Sequence, residues 1–187
     1  KSVEVGGGAI LVSDLQGQPL LAGRPATVRV ALRNGGLDVG GRRVAGARLL
    51  PAGAGALRLN GREYPGSLEI LRNGDGLVVV NELPFEEYLA GVLKAEASDR
   101  WPPETLKAQA IVARTYAAYH RWLNAAKPYH ILASTANQQY AGKVAETSPV
   151  WEAVRDTEGQ ILTWEGRLFP AFYHTDSGGH TEDPRLV

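Results

Sequence analysis

The chain contains no cysteine and no methionine in 187 residues. Without cysteine there are no disulfides and no thiolate metal ligands, and the compartment is left open. A chain that begins at Lys1 and holds no methionine is expected to have lost, or to lie behind, an N-terminal segment. Charge of one sign is missing too. Lysine and arginine total 20, aspartate and glutamate 20, so the formal net charge is +0. No basic field is available to recruit nucleic acid or an anionic surface, and the one adjacent basic pair is Arg42–Arg43. No apolar run approaches the roughly 18 residues of a membrane span. Gly6-Gly7-Gly8 is followed by no Lys-Ser/Thr, which removes the phosphate-loop reading.

What is present is a globular composition, 44% hydrophobic and 21% charged, with 22 glycines and 11 prolines that punctuate it. Residues 1 to about 80 read as short strands between glycine turns. The runs are Ala9–Asp14, Ala26–Leu32, Val44–Leu50, Ala56–Leu59, Ser67–Arg72 and Leu77–Val80. Asn60-Gly61 suits a hairpin turn. Nothing in this half has catalytic spacing.

From Asn81 to Leu123 the pattern changes to a helix, a break and a longer helix. Pro84 suits a first turn, and Tyr88, Leu89, Val92 and Leu93 recur at helical spacing. Pro102 and Pro103 end the break and open the second helix. Glu96 falls where the first helix stops. Helix C-termini favour cations, so a carboxylate there, beside Ala95, Ala97 and Trp101, is expected to lean towards its protonated form. A proton-donating catalyst needs that property. Spacing alone still favours the ordinary reading, a solvated loop residue.

Further on, Ala125–Gly142 reads as a polar irregular stretch. Ser148-Pro149 predicts an N-cap and first turn, and Gly159 a helix stop. Gln160–His174 predicts a β-hairpin turning at Glu165-Gly166, with Pro170 placing its second strand at an edge or bulge. Asp176, Ser177, Gly178 and Gly179 form a tight backbone with N–H groups available to a ligand. His174 and His180 across that turn make a poor zinc clip without cysteine or a His-x-x-x-His helix. Ser177, His174 and Asp176 are too close in sequence for a nucleophile triad. A two-carboxylate glycosidase would need Asp99, Glu104 or Glu182 to face Glu96. Trp101, Tyr129, Tyr140 and Tyr173 are candidate sugar-stacking rings, with core packing as the ordinary alternative.

Four blocks in unbroken order carry a resemblance. They are L-P-F-E-E-Y-L-A-G-V-L-K-A-E, W-P-P-E-T-L-K-A-Q-A-I-V-A-R-T-Y-A, S-T-A-N-Q-Q-Y-A-G and the stretch ending F-Y-H-T-D-S-G-G-H-T-E. Together they resemble the SpoIID/LytB family of sporulation stage II D and amidase-enhancer proteins, from about residue 64 onwards. The resemblance implies a β-rich N-terminal part, 1–63, and a family domain, 64–187, forming one integrated unit. The fold expected is α+β, a β-rich body carrying the two-helix unit, with a glycan-binding cleft. The family domain usually continues past the last block, so part of the cleft is expected beyond Val187.

The activity the resemblance implies is that of a lytic transglycosylase on peptidoglycan glycan strands stripped of stem peptides. The alternative is a non-catalytic enhancer of a cell-wall amidase. The resemblance places the catalytic glutamate on Glu96, and substrate contacts on Arg114, Gln138, Tyr140, Tyr173, His174, Ser177, Gly178 and Gly179. Arg114 and Tyr116 match its helix motif, Gly142 its loop, and Tyr173 and His174 precede the glycine pair. Some members hold zinc through a His-Cys pair. Here those positions are Ala136 and Asn137, so neither metal nor cofactor is expected. Partners would be glycan strands and a wall amidase, with action outside the cytoplasm.

Overall fold

A computed structural model describes residues 1–33, 35–174, 176, 178–181 and 183. Ten strands come first: β1 (Ser2–Gly6), β2 (Ile10–Ser13), β3 (Thr27–Arg33), β4 (Gly36–Val39), β5 (Arg42–Val44), β6 (Gly46–Pro51), β7 (Leu57–Leu59), β8 (Arg62–Tyr64), β9 (Ser67–Asn73) and β10 (Gly76–Glu82). Three helices follow: α1 (Phe85–Glu96), α2 (Pro103–Leu123) and α3 (Val150–Asp156). The fold is α+β.

The strands form two antiparallel sheets, ordered β5-β4-β3-β1-β7-β8 and β10-β9-β6-β2. Alternation decides which face turns inwards. In β3, Val28 and Val30 are buried while Thr27 and Arg29 are exposed. Val5, Ile10, Leu37, Leu49, Leu57, Leu68 and Ile70 join them in one core drawn from both sheets. The Asn60-Gly61 turn forms as expected between β7 and β8, both residues at positive φ. Strands β9 and β10 pair with each other over seven residues, and β9 pairs on with β6. One sheet therefore draws on sequence from both sides of Tyr64.

The helices own a second core. Leu89, Val92 and Leu93 of α1 pack with Leu106, Ala110 and Ala113 of α2 and with Val150, Ala153 and Val154 of α3. The helix–break–helix reading holds: α1 ends on Glu96 and α2 opens at Pro103, with Glu86, Glu87 and Glu104 in the first turns. Tyr64 packs against both cores and hinges the two bodies together. Polar links reinforce the joint. Arg62 donates to the Tyr140 carbonyl at 2.8 Å, Lys143 N–H to the Glu63 carbonyl at 2.8 Å, and Tyr140 OH to Asn81 Oδ1 at 3.2 Å.

Two expectations are corrected. Ser148 makes no cap: no side-chain bond closes the start of α3, and Ser148 Oγ is buried without a partner among the described residues. Of the predicted 160–174 hairpin only the turn exists, with Trp164 and Arg167 exchanging N–H···O bonds at 3.0 and 2.9 Å around Glu165-Gly166. Past it, Phe172 N–H turns back onto the Pro170 carbonyl at 2.9 Å, a three-residue turn that bends the chain out of any ladder.

Arg114, a motif residue in the middle of α2, is the strongest polar tie among the helices. It is 1% exposed. Its guanidinium forks onto Glu86 at 3.1 and 2.7 Å. The remaining N–H groups reach the carbonyls of Val154 and Gln160 and the Thr157 hydroxyl. Those acceptors lie at the C-terminal end of α3, where carbonyls lack helical partners. One side chain thus ties α1, α2 and α3.

Candidate functional site

The carboxylate of Glu96 is half-buried on the last residue of α1. Gln139 N–H donates to its Oε1 at 2.6 Å. Among the described residues, Oε2 has no hydrogen-bond partner and no cation pairs with the group. Asp99, in the break, is bridged instead to Lys94. Glu104 pairs with Lys107. Glu182 lies outside the described residues. No second carboxylate is placed against Glu96 by a hydrogen bond among the described residues.

The stretch 137–140 fixes the approach to Glu96, one residue at a time. Asn137 donates to Tyr116 OH at 2.9 Å, tying the stretch to α2. Gln138 turns inwards and is fully buried. Its Nε2 donates to the Ala113 carbonyl, which can only accept, and that settles the orientation of the amide. Oε1 then accepts from Tyr88 OH at 2.8 Å, and the second amide proton goes to Tyr173 OH at 3.1 Å. The Tyr173 hydroxyl proton remains to be donated elsewhere. Gln139 gives its N–H to Glu96. Tyr140 packs inwards, stacked on Tyr88 with centroids 5.5 Å apart.

Burial pushes Tyr88 well above the ordinary tyrosine range, with neighbouring tyrosines and the Glu96 carboxylate adding to it. Tyr173 is pushed up to about 12, by burial first; the Gln138 bond opposes this and the Glu96 carboxylate adds to it. Burial raises Tyr140 as well. All three hydroxyls stay protonated near neutral pH, and those of Tyr88 and Tyr140 donate to Gln138 Oε1 and Asn81 Oδ1. Tyr88 and Tyr173 both feel the Glu96 charge, so the network and the carboxylate share one locale.

Two glycines make this packing possible. A Cβ on Gly91 would meet Tyr140 Cε2 at 2.2 Å, and Ala141 N–H bonds the Gly91 carbonyl at 3.0 Å. A Cβ on Gly142, at φ +82°, would meet the Glu63 carbonyl at 2.2 Å. Gly91→Ala is expected to force Tyr140 outwards, lowering stability by about 1–3 kcal/mol. The same change should displace the Gln139 N–H from Glu96. Urea denaturation reads the first effect, and the exchange rate of the Gln139 amide reads the second.

The other predicted residues fall in different places. Arg114 is not brought to Glu96: it grips Glu86, ten residues earlier on α1, about 15 Å away along the axis. His174, Gly178 and Gly179 are exposed. Gly178 N–H is taken by Asp176 Oδ1 at 2.8 Å, so that amide is not free for a ligand. Ser177 lies outside the described residues. Trp101 is 43% exposed beside the break. The cleft expected between Glu96 and the C-terminal hairpin is not shown. A groove of about 750 Å³ runs instead between β10, the start of α1 and the segment 128–133, and Tyr129 lines it but Glu96 does not.

Tyr88, Asn137, Gln139 and Gly91 are the parts of the site that sequence reading passed over. Tyr88 stands two helical turns before Glu96 through Val92, a shared face that could have marked it. Behind this locale, His120 lies tilted against Tyr116 with ring centroids 4.2 Å apart and meets Tyr119 edge-on, with Lys127 nearby. Its Nε2 is buried without a partner among the described residues. Burial first, then the Lys127 charge, lowers its pKa below the ordinary 6.5. The unfolded chain then takes up the proton first. Stability is therefore full above the unfolded pKa and falls as pH drops from there towards the lower folded value. The urea midpoint should decrease as pH falls through and below the ordinary histidine value of 6.5, by less in His120→Gln.

Fold and site together define an α+β protein in which one helix-terminal carboxylate accepts a backbone N–H from a stretch that a buried glutamine anchors to two tyrosine hydroxyls. Residues 73–164 match the family described as SpoIID, Stage II sporulation protein. An uncharacterized protein of Brachyspira hyodysenteriae is 43% identical over 130 residues, 69% of this chain and 35% of its own. Stage II sporulation protein D of Bacillus subtilis is 29% identical over 148 residues, 71% of this chain and 42% of its own. The Amidase enhancer of Bacillus subtilis is 35% identical over 94 residues, 50% of this chain and 12% of its own. The chain belongs to the SpoIID family. It spans less than half the length of these curated relatives.

Proposed function

We propose that this protein acts on the glycan strands of peptidoglycan as a lytic transglycosylase, with Glu96 as its single acid/base. The observation that carries this reading is the state of the Glu96 carboxylate. Glu96 is half-buried, its carboxylate accepts one backbone N–H, and among the described residues no cation pairs with it and its second oxygen has no partner. In the reaction, Glu96 would protonate the glycosidic oxygen between MurNAc and GlcNAc as the C1–O bond breaks. It would then remove the proton from the MurNAc 6-hydroxyl as that oxygen closes on C1, leaving a 1,6-anhydro end. The proton borrowed in the first half returns in the second, and no water or second carboxylate is consumed.

Tyr173 suits a donor to the sugar or to Glu96, since its lone pair is occupied by Gln138 and its proton is not. Gln138 and Tyr140 are buried, so their part is to hold Tyr88, Tyr173 and the Gln139 amide in place. Action outside the cytoplasm follows from the substrate. Among the described residues, no helix is long and apolar enough to cross a membrane.

A second reading is a glycan-binding enhancer of a wall amidase. It is favoured by a 750 Å³ groove that Tyr88 and Tyr140 line but Glu96 does not and by similarity to a protein called Amidase enhancer. Denuded glycan strands separate the two. Release of soluble fragments supports the enzyme. Co-sedimentation with intact denuded strands without release, together with faster release of stem peptides from peptide-bearing peptidoglycan by an added amidase, supports the enhancer.

A further inference from the structure

We propose that Gln138 is a positioning residue: its buried amide fixes the direction of the Tyr173 hydroxyl, so that Tyr173 donates a hydrogen bond to an oxygen of the glycan strand. This role rests on Glu96 acting on such strands, and it adds a second side chain that touches substrate. Three donors point one way. Tyr88 OH donates to Gln138 Oε1 at 2.8 Å, and Gln138 Nε2 donates to Tyr173 OH at 3.1 Å. Tyr173, the last donor, has no acceptor among the described residues. Linked bonds polarise one another, which makes that outermost proton a better donor.

The direction is locked from inside. Flipping the Gln138 amide would set Oε1 against the Ala113 carbonyl, two acceptors face to face. Gln138 is fully buried, which denies solvent access to its two amide protons. Tyr173 itself is half-buried, and burial first pushes it up to about 12, so its hydroxyl keeps the proton at neutral pH. With its lone pair taken by Gln138, donation is what the hydroxyl has left to offer.

One dipeptide also sets the acid. Gln139, the next residue, gives its N–H to Glu96 Oε1 at 2.6 Å. The side chain of Gln138 and the backbone of Gln139 therefore reference the hydroxyl and the carboxylate to a single point. Among the described residues no hydrogen bond joins Tyr173 to Glu96, although the Glu96 charge reaches Tyr173. The Tyr173 proton is thus left for a ligand, and a glycan strand offers acceptor oxygens as hydroxyl, ether and acetamido groups.

Two measurements on the full chain test this. In the free protein, nuclear magnetic resonance of the glutamine side chains should show both Gln138 Nε2 protons exchanging at least about tenfold slower than those of exposed Gln139. Tyr173→Phe should shift the resonance of one of the two and leave the one held by Ala113 in place. Fast exchange of both protons, or two resonances indifferent to Tyr173→Phe, would overturn the proposal. The second measurement is a double-mutant cycle of Tyr173→Phe and Gln138→Glu, read on affinity for denuded glycan strands and on fragment release. An ionised carboxyl in place of the amide has no proton to give, and a protonated one has a single proton, which the Ala113 carbonyl takes; either way the Tyr173 proton is drawn inwards. Each single change should lower strand affinity about tenfold. The double change should be no worse than either, because both remove the same donated proton. Losses that multiply to about a hundredfold would mean that Gln138 acts by packing alone, and would overturn the proposal. So would parental affinity in Tyr173→Phe. If Gln138→Glu does not fold, Tyr88→Phe replaces it in the cycle: it should weaken binding in the parent and change nothing in Tyr173→Phe. Affinity is read apart from release, so a parent that binds strands without cutting them overturns the catalytic reading of Glu96 and not the role of Gln138.

Discussion

Glu96→Gln is expected to reduce cleavage of denuded glycan strands by about 10²–10⁴-fold, the usual worth of general acid–base assistance. Stability should be almost unchanged. The glutamine Oε1 can still accept the Gln139 N–H that Glu96 Oε1 accepts at 2.6 Å, and among the described residues Glu96 makes no ion pair to lose. The side chain is nearly isosteric, so Tyr88 and Tyr173 keep their places around Gln138. Glycan affinity should survive as well. A variant that binds strands, unfolds at the same urea concentration as the parent and releases no fragments isolates the proton-transfer role. Glu96→Asp is the companion: it keeps the acid but shortens its reach, and should fall between the two.

The largest effect on stability is expected at Arg114. Arg114→Ala should cost about 3–5 kcal/mol, because it strands the Glu86 carboxylate and the α3 carbonyls in a dry site. For a chain of this size that is a fall of roughly 6–20 °C in Tm. Glu86 retains 28% side-chain exposure, which places the loss towards the lower end. The double change Arg114→Met with Glu86→Leu should recover part of it, since a paired charge can be replaced by apolar packing. Recovery stays incomplete because Val154 and Gln160 still lose their donor. Thermal unfolding of the two single variants and the double variant measures the coupling.

The contrast between these residues shows what was legible in the sequence. The end of α1 on Glu96 was readable because it is a local matter: apolar spacing fixes the helix and Pro102-Pro103 fixes the restart. β2, β3, β6, β7, β9 and β10 were readable from glycine turns for the same reason, whereas β1, β4 and β5 were not read. Gln138 and Tyr140, in a polar stretch, read as ligand contacts. Their burial depends on Tyr88, 50 residues away, on the Ala113 carbonyl, 25 away, and on the missing side chain at Gly91. No local pattern carries that information. Arg114 read as part of a functional motif, yet its partner Glu86 is 28 residues upstream and its other acceptors are 40–46 downstream. The 160–174 hairpin failed for the opposite reason. Its turn chemistry was right, but strands need a neighbour to pair with, and Ile161, Leu162, Trp164 and Phe172 remain more than 40% exposed.

The central claim is that one carboxylate, Glu96, performs both proton transfers without water. It is tested most directly by digesting denuded glycan strands in oxygen-18 water and weighing the product ends by mass spectrometry. The account predicts 1,6-anhydroMurNAc ends carrying no heavy oxygen, and their disappearance in Glu96→Gln. Reducing ends that have gained one heavy oxygen, or anhydro ends formed at the same rate by Glu96→Gln, would contradict it.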